Sequence, residues 1–180
     1  MTTTIQPAPR VRLGRRTRRG VLTVHILAAG AWIGIDVVLG VLVFTAVLTT
    51  STSTRALCYQ ALQLFAVWPL LTAGLVTLAS GIVLGIGTSY GLIRFWWVAV
   101  KLALNLVLVG LVAIALRPGV AEAARHGAAL AAGVPSDSRV SDLIFPPIVS
   151  TAALLVATVL SVFKPWGRIR RRSTETLPSR

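Results

Sequence analysis

An apolar run of 28 residues, Val21–Leu48, is the feature that most constrains this chain. Its only ionisable side chains are those of His25 and Asp36. About 20 apolar residues suffice for a helix to cross the hydrocarbon of a bilayer. The hydrophobic core of a signal peptide is shorter, at about 7 to 15 residues. We therefore predict that this segment is retained as a membrane-spanning helix.

Three further apolar runs follow, and together they predict an all-α integral membrane four-helix bundle. Trp68-Pro69 lies inside the second run and predicts a kink, because proline removes one helical hydrogen bond. Arg117-Pro118-Gly119 is expected to end the third helix. The predicted spans are about 21–48, 57–86, 92–116 and 144–163.

Two basic tails, residues 1–20 and 164–180, flank the predicted membrane domain of residues 21–163. The whole chain has 18 Lys and Arg against 5 Asp and Glu. No aromatic residue is interleaved among the arginines of the tails, so we expect them to contact anionic lipid head groups rather than nucleic acid. With four spans, both tails lie on the same side as the 87–91 turn. The positive-inside rule then places both the N and C termini in the cytoplasm.

The abundance of arginine, alanine, glycine and valine indicates a bacterial source, and hence the bacterial cytoplasmic membrane. Ionisable groups within spans cost about 2.5 to 3.5 kcal/mol each on insertion scales, which makes them functional candidates. The predicted spans contain three such groups away from their ends: His25, Asp36 and Lys101. We predict a polar seam between spans one and three from these residues together with Asn105 and Arg94.

Two readings of this seam are open. At about 1.5 Å rise per residue, Asn105 is level with Asp36 and Lys101 lies about two turns nearer the cytoplasm. Asp36 paired with Asn105 or Lys101 would be a structural clamp between helices, and His25 would be an interfacial histidine or a ligand. Residues expected to serve mainly in packing are Trp32, Gly30, Gly34, Trp97, Gly81 and Gly85.

The sequence is poor in metal ligands. Cys58 is the only cysteine and Met1 the only methionine, whereas copper(I) sites prefer these sulfur ligands. His126 lies in the 117–143 connection, on the opposite side of the membrane from His25, so one chain offers no bis-histidine haem site. We predict no metal site and no cofactor, with haem b bound by His25 as the alternative.

Two short motifs carry a resemblance: His25-x-x-x-Ala29-x-x-Trp32-x-Gly34 in the first span, and Trp97-x-x-x-Lys101-Leu102 in the third. They resemble the copper-resistance D (CopD) superfamily and, more closely in size, an uncharacterised family of small bacterial four-span integral membrane proteins allied to it. They are also distantly similar to bacterial membrane protoporphyrinogen oxidase. That last resemblance implies that His25 coordinates haem and that Lys101 is needed for activity.

Three functional hypotheses follow. The first is a non-enzymatic membrane protein, a small transporter or an accessory subunit, with the polar seam as its site. The second is a haem- or porphyrin-binding oxidoreductase that uses His25. The third is a structural homodimer, or a complex with a membrane partner, formed through the Gly30-x-x-x-Gly34 and Gly81-x-x-x-Gly85 motifs.

Overall fold

A computed structural model describes residues 13–87, 96–134 and 141–163, and it is helical almost throughout these ranges. A π-helical turn, Val112–Leu116, lies between the fourth and fifth helices, and a short 3-10 helix, Ser141–Ile144, precedes the sixth. The six α-helices are α1 (Arg15–Leu48), α2 (Thr52–Phe65), α3 (Trp68–Gly87), α4 (Trp96–Leu111), α5 (Arg117–Ala131) and α6 (Phe145–Phe163).

Four helical segments are long and apolar enough to cross a membrane. Most of the large apolar side chains that face outward lie on these segments, as expected of helices surrounded by lipid. The prediction of an all-α chain with four such helices is confirmed for the described residues. The segments are Arg15–Leu48, Thr52–Gly87, Trp96–Ala131 and Asp142–Phe163.

Two of the four segments have an irregular backbone near their middle. The second is interrupted between Phe65 and Trp68, next to Pro69, as the proline predicted. The third does not end at Arg117-Pro118-Gly119, so that expectation is wrong. Its helix continues to Ala131 through the π-helical turn. The wider turn just before Pro118 accommodates a residue that has no N–H to donate.

The helices pack so that α1 and α4 are not direct neighbours. α1 lies against α3 and α6, and α4 lies against the same two helices. The polar stripes of spans one and three therefore face each other across the bundle, with α3 and α6 on either side. At the end of the bundle remote from the termini, α2 packs against α5 and against the last turns of α1.

Close helix contacts depend on two glycines. A Cβ on Gly74 would lie 2.6 Å from Cζ3 of Trp32, so only glycine leaves room for the indole. A Cβ on Gly127 of α5 would lie 2.8 Å from the Ala56 carbonyl oxygen of α2. Gly74 thus makes room on α3 for a large side chain of α1, and Gly127 lets α5 approach the backbone of α2 closely.

Arg55 closes the end of α1. Its Nη2 donates to the Thr49 carbonyl oxygen at 2.6 Å, and its Nε donates to the Ala46 carbonyl oxygen at 3.1 Å. These carbonyls belong to the last turn, where no helical N–H is available to them. The guanidinium thus satisfies the C-terminus of α1 and fixes the turn that leads into α2.

Candidate functional site

Polar side chains gather around a cavity of about 520 Å³, which we call cavity A, in the half of the bundle nearer the termini. It is enclosed by α1, α3, α4 and α6. The rest of its lining is aliphatic. Its polar lining residues are His25, Thr77, Lys101, Asn105, Thr158 and Ser161.

His25 is held by a serine of α3. The Ser80 hydroxyl donates to the Val76 carbonyl oxygen at 2.6 Å. A hydroxyl has one hydrogen, so Ser80 Oγ accepts from His25 Nδ1, which lies 2.9 Å away. The ring edge fits over Gly81, where a Cβ would lie 3.2 Å from His25 Cε1. With Nδ1 assigned from this network as the donor to Ser80, Nε2 of the neutral ring keeps its lone pair.

Lys101 is held in the same way by a serine of α6. Its Nζ donates to Ser161 Oγ at 2.8 Å, and the Ser161 hydroxyl donates to the Ala157 carbonyl oxygen at 3.0 Å. The ammonium also lies 4.6 Å from the centre of the Trp97 ring, within the range of a cation–π interaction. Because His25 and Lys101 line the same cavity, the positive charge of Lys101 acts on the histidine ring.

Two polar atoms that line cavity A have no hydrogen-bond partner in the part of the chain that the structure describes. They are Oγ1 of Thr77 and Oδ1 of Asn105, and both are fully buried. Thr77 as a whole is only 5% exposed. Buried polar atoms are nearly always paired, so the described residues leave one hydroxyl and one amide oxygen beside cavity A with unused hydrogen-bonding capacity.

Asp36 does not take part in cavity A. Ser150 of α6 donates to Asp36 Oδ2 at 2.6 Å and accepts from Trp32 Nε1 at 3.1 Å. Asp36 therefore pairs neither with Lys101 nor with Asn105, and the clamp joins α1 to α6 rather than to α4. The reason is that a serine of the neighbouring helix lies within reach, whereas α4 is across the bundle.

A second cavity of about 350 Å³, which we call cavity B, follows cavity A along the bundle axis. On α1, cavity A is lined within residues 25–33 and cavity B within 36–43. On α6, which runs the other way, the order is reversed. Leu108 is the residue that lines both cavities. Cavity B is mostly apolar, and its polar lining residues are Asp36, Asp142 and Ser150.

The remaining sequence candidates divide into three groups. Trp32, Trp97 and Gly85 are buried, and Gly81 contacts His25. Gly30 and Gly34 face open space, because a Cβ at either position would meet nothing within 4 Å. They make no close helix contact within the described residues, so their dimer role stays a prediction. Arg94 lies outside the described residues.

Sequence reasoning missed the three serines that connect the helices. Each lies in a largely apolar stretch, where nothing in the pattern distinguishes a helix-bridging hydroxyl from one bonded to its own backbone. These residues are Ser80, Ser150 and Ser161.

Comparisons of the chain with family models, with curated proteins and with solved structures each found no match. Among the described residues, no cluster of three or more His, Cys, Asp or Glu side chains is placed to hold a metal ion. His126 packs against Tyr59 between α5 and α2, with ring centres 5.5 Å apart. The two histidines therefore belong to different ends of the bundle.

Proposed function

We propose that this chain is a small non-enzymatic transporter of the bacterial cytoplasmic membrane, with both termini in the cytoplasm. The single observation that carries the proposal is the stacking of cavities A and B along one axis, with Leu108 as their common wall. A substrate path through a helical bundle needs sites reached from each side and a barrier between them. The bundle has room for both sites, and Leu108 lies where they meet.

The irregular backbone supports the same function. The break at 66–67 and the π-helical turn at 112–116 both contribute lining residues to cavity B, including Ala66, Val112 and Leu116. In membranes, non-helical backbone is tolerated where it is buried in protein or lines a cavity. Interrupted helices at the middle of the membrane are also a common feature of transporter binding sites.

Cysteine accessibility tests the path. In a Cys58→Ala background, single cysteines replace Asn105 in cavity A, Val112 in cavity B and Leu108 between them. Membrane vesicles of known orientation are treated with a small membrane-impermeant thiol reagent from each side. We expect Asn105→Cys to react from the side of the termini and Val112→Cys from the opposite side. Leu108→Cys should be protected from both.

A matched change at the barrier sharpens the test. Leu108→Ala, combined with Asn105→Cys, should make that cysteine reactive from both sides, because the wall between the cavities is then shortened. If Asn105→Cys and Val112→Cys both react from the same side of the membrane, the two cavities form one dead-end site. That result contradicts transport and favours an accessory subunit.

A haem- or porphyrin-binding oxidoreductase is the second candidate, and the fixed tautomer of His25 favours it. The Nδ1–H held by Ser80 leaves Nε2 as a possible axial ligand. The described residues fit haem only in part, because His126 lies at the other end of the bundle and the nitrogen of Lys101 bonds Ser161. The described residues therefore offer a haem iron one axial nitrogen, Nε2 of His25.

A visible absorption spectrum of the purified protein separates the two candidates. The oxidoreductase requires a Soret band that is lost in His25→Ala and kept in the Asp36→Asn control. The transporter requires that the full-length protein be colourless when prepared from cells supplied with haem precursors. Membership of the four-span family allied to the copper-resistance D superfamily remains a prediction.

A further inference from the structure

Cavity A is open to the outside of the bundle between α1 and α6. Ile26 of α1 is 60% exposed and Val162 of α6 is 69% exposed, and both line the cavity. Small residues border this opening: Ala29 and Gly30 on α1, and Ala153 and Ala157 on α6. The hydrogen bonds described between α1 and α6 lie at one level only, where Ser150 bonds Trp32 and Asp36.

The polar lining of cavity A is basic. His25 and Lys101 are its titratable residues, and no Asp or Glu is present among the lining residues that the structure describes. An ammonium in a medium of low dielectric constant attracts an anion far more strongly than it would in water. The unpartnered Thr77 hydroxyl adds a hydrogen-bond donor beside it.

From the basic lining and the side opening together, and resting on the proposed function, we infer that cavity A takes the anionic head group of a lipid-like amphiphile. The phosphate or carboxylate of this amphiphile contacts Lys101 Nζ and accepts a hydrogen bond from the Thr77 hydroxyl. Its acyl chain leaves the bundle through the gap beside Gly30. The aliphatic lining on either side of the gap suits that chain.

Binding of a defined probe tests the inference. Full-length protein in dodecyl maltoside is titrated with dodecyl phosphate, and binding is followed by native mass spectrometry and by the shift in Tm. Dodecyltrimethylammonium has the same chain with the opposite charge, and inorganic phosphate has the head group without the chain. We expect dodecyl phosphate to bind at least tenfold more tightly than either, and to raise Tm.

Two pairs of variants locate the probe. Lys101→Gln should weaken binding of dodecyl phosphate at least tenfold, whereas Lys101→Arg keeps the charge and should retain it. Gly30→Leu should obstruct the gap and weaken binding by a similar factor. Gly34→Leu is its matched control, because Gly34 is also exposed on α1 with open space around it but does not line cavity A. The glycine pair gives a result even if Lys101→Gln fails to fold.

Equal binding of dodecyl phosphate by Lys101→Gln and the unmodified protein would overturn the head-group site. Equal loss in Gly30→Leu and Gly34→Leu would overturn the side opening, and equal binding of inorganic phosphate would show that the site takes a free anion. These failures are distinct from failure of the transporter. The two-sided pattern of thiol labelling would persist if only the ligand class were wrong, and it would be absent if the transport path were wrong.

Discussion

The indole of Trp32 occupies the space that a side chain at Gly74 would need. A Cβ at Gly74 would lie 2.6 Å from Cζ3 and 2.8 Å from Cη2 of the tryptophan, which is itself 0% exposed. The same ring donates its N–H to Ser150 on the other neighbouring helix. One side chain of α1 therefore fixes the positions of both α3 and α6.

Gly74→Ala should destabilise the protein. The added methyl group must displace a fully buried ring, and such overpacking costs about 1 to 3 kcal/mol. Gly110→Ala is the control, because a Cβ there meets nothing within 4 Å. It should be neutral or stabilising, by up to about 1 kcal/mol, through helix propensity. Thermal unfolding of both variants in detergent checks this, and an unchanged Tm in Gly74→Ala would contradict the contact.

Ser150→Ala should also lower stability, for a different reason. It removes the partner of the Trp32 N–H and of the Asp36 carboxyl group together, and each is left buried. An unsatisfied buried polar group costs about 1 to 3 kcal/mol. Thr151→Ala, in the same turn of α6, is the comparison. Equal Tm values for the two variants would show that the hydrogen bonds joining Trp32, Ser150 and Asp36 contribute nothing to stability.

For stability, we expect the hydrogen-bond acceptor that Asp36 offers to Ser150 to matter more than a negative charge at this position. Asp36→Asn keeps an oxygen that can accept from the Ser150 hydroxyl, so its free energy of unfolding should fall by less than about 1 kcal/mol. Asp36→Leu removes the acceptor and should cost more. Denaturant titration of both variants measures the difference. A larger loss of unfolding free energy in Asp36→Asn than in Asp36→Leu would rule out a role for Asp36 as a hydrogen-bond acceptor.

Arg55→Met should loosen the end of α1. Two carbonyl oxygens lose their donors, at a cost of about 1 kcal/mol because they can bind water instead. Arg55→Lys keeps one charged donor and should recover part of that stability. Hydrogen exchange of the backbone amides near Thr49 should quicken in the methionine variant and change less in the lysine variant.

The helical architecture could be predicted because apolar length alone determines it. Runs such as Val21–Leu48 exceed what the hydrocarbon requires, and no other secondary structure satisfies their backbone in lipid except a closed barrel. The continuation of the helix past Pro118 could not be predicted, because a π-helical turn depends on the packing around it. The pattern contains only the proline, which ordinarily ends a helix.

The site could be predicted only as a set of residues. His25, Lys101 and Asn105 are recognisable because polar groups in apolar spans are costly, and the structure places all three on cavity A. Their partners were not recognisable. Whether Asp36 meets α4 or α6 depends on which helices are neighbours, and hydropathy does not encode the order of helices around a bundle.

The packing of α2 against α5 has a consequence for where the bundle sits in the bilayer. At 34 residues, α1 is about 51 Å long, whereas the hydrocarbon is about 30 Å thick. The first turns of α1 carry Arg15, Arg16, Arg18 and Arg19 and lie outside the hydrocarbon, and the rest of the excess lies at the end where α2 and α5 carry threonine, arginine, glutamine and glutamate side chains. Measured from Val21, where the apolar run begins, the α1 side of the gap from Ile26 to Gly30 lies about 8 to 14 Å deep, which is within the leaflet on the side of the termini. Any amphiphile that uses it would be drawn from that monolayer alone, which gives the protein a built-in sidedness.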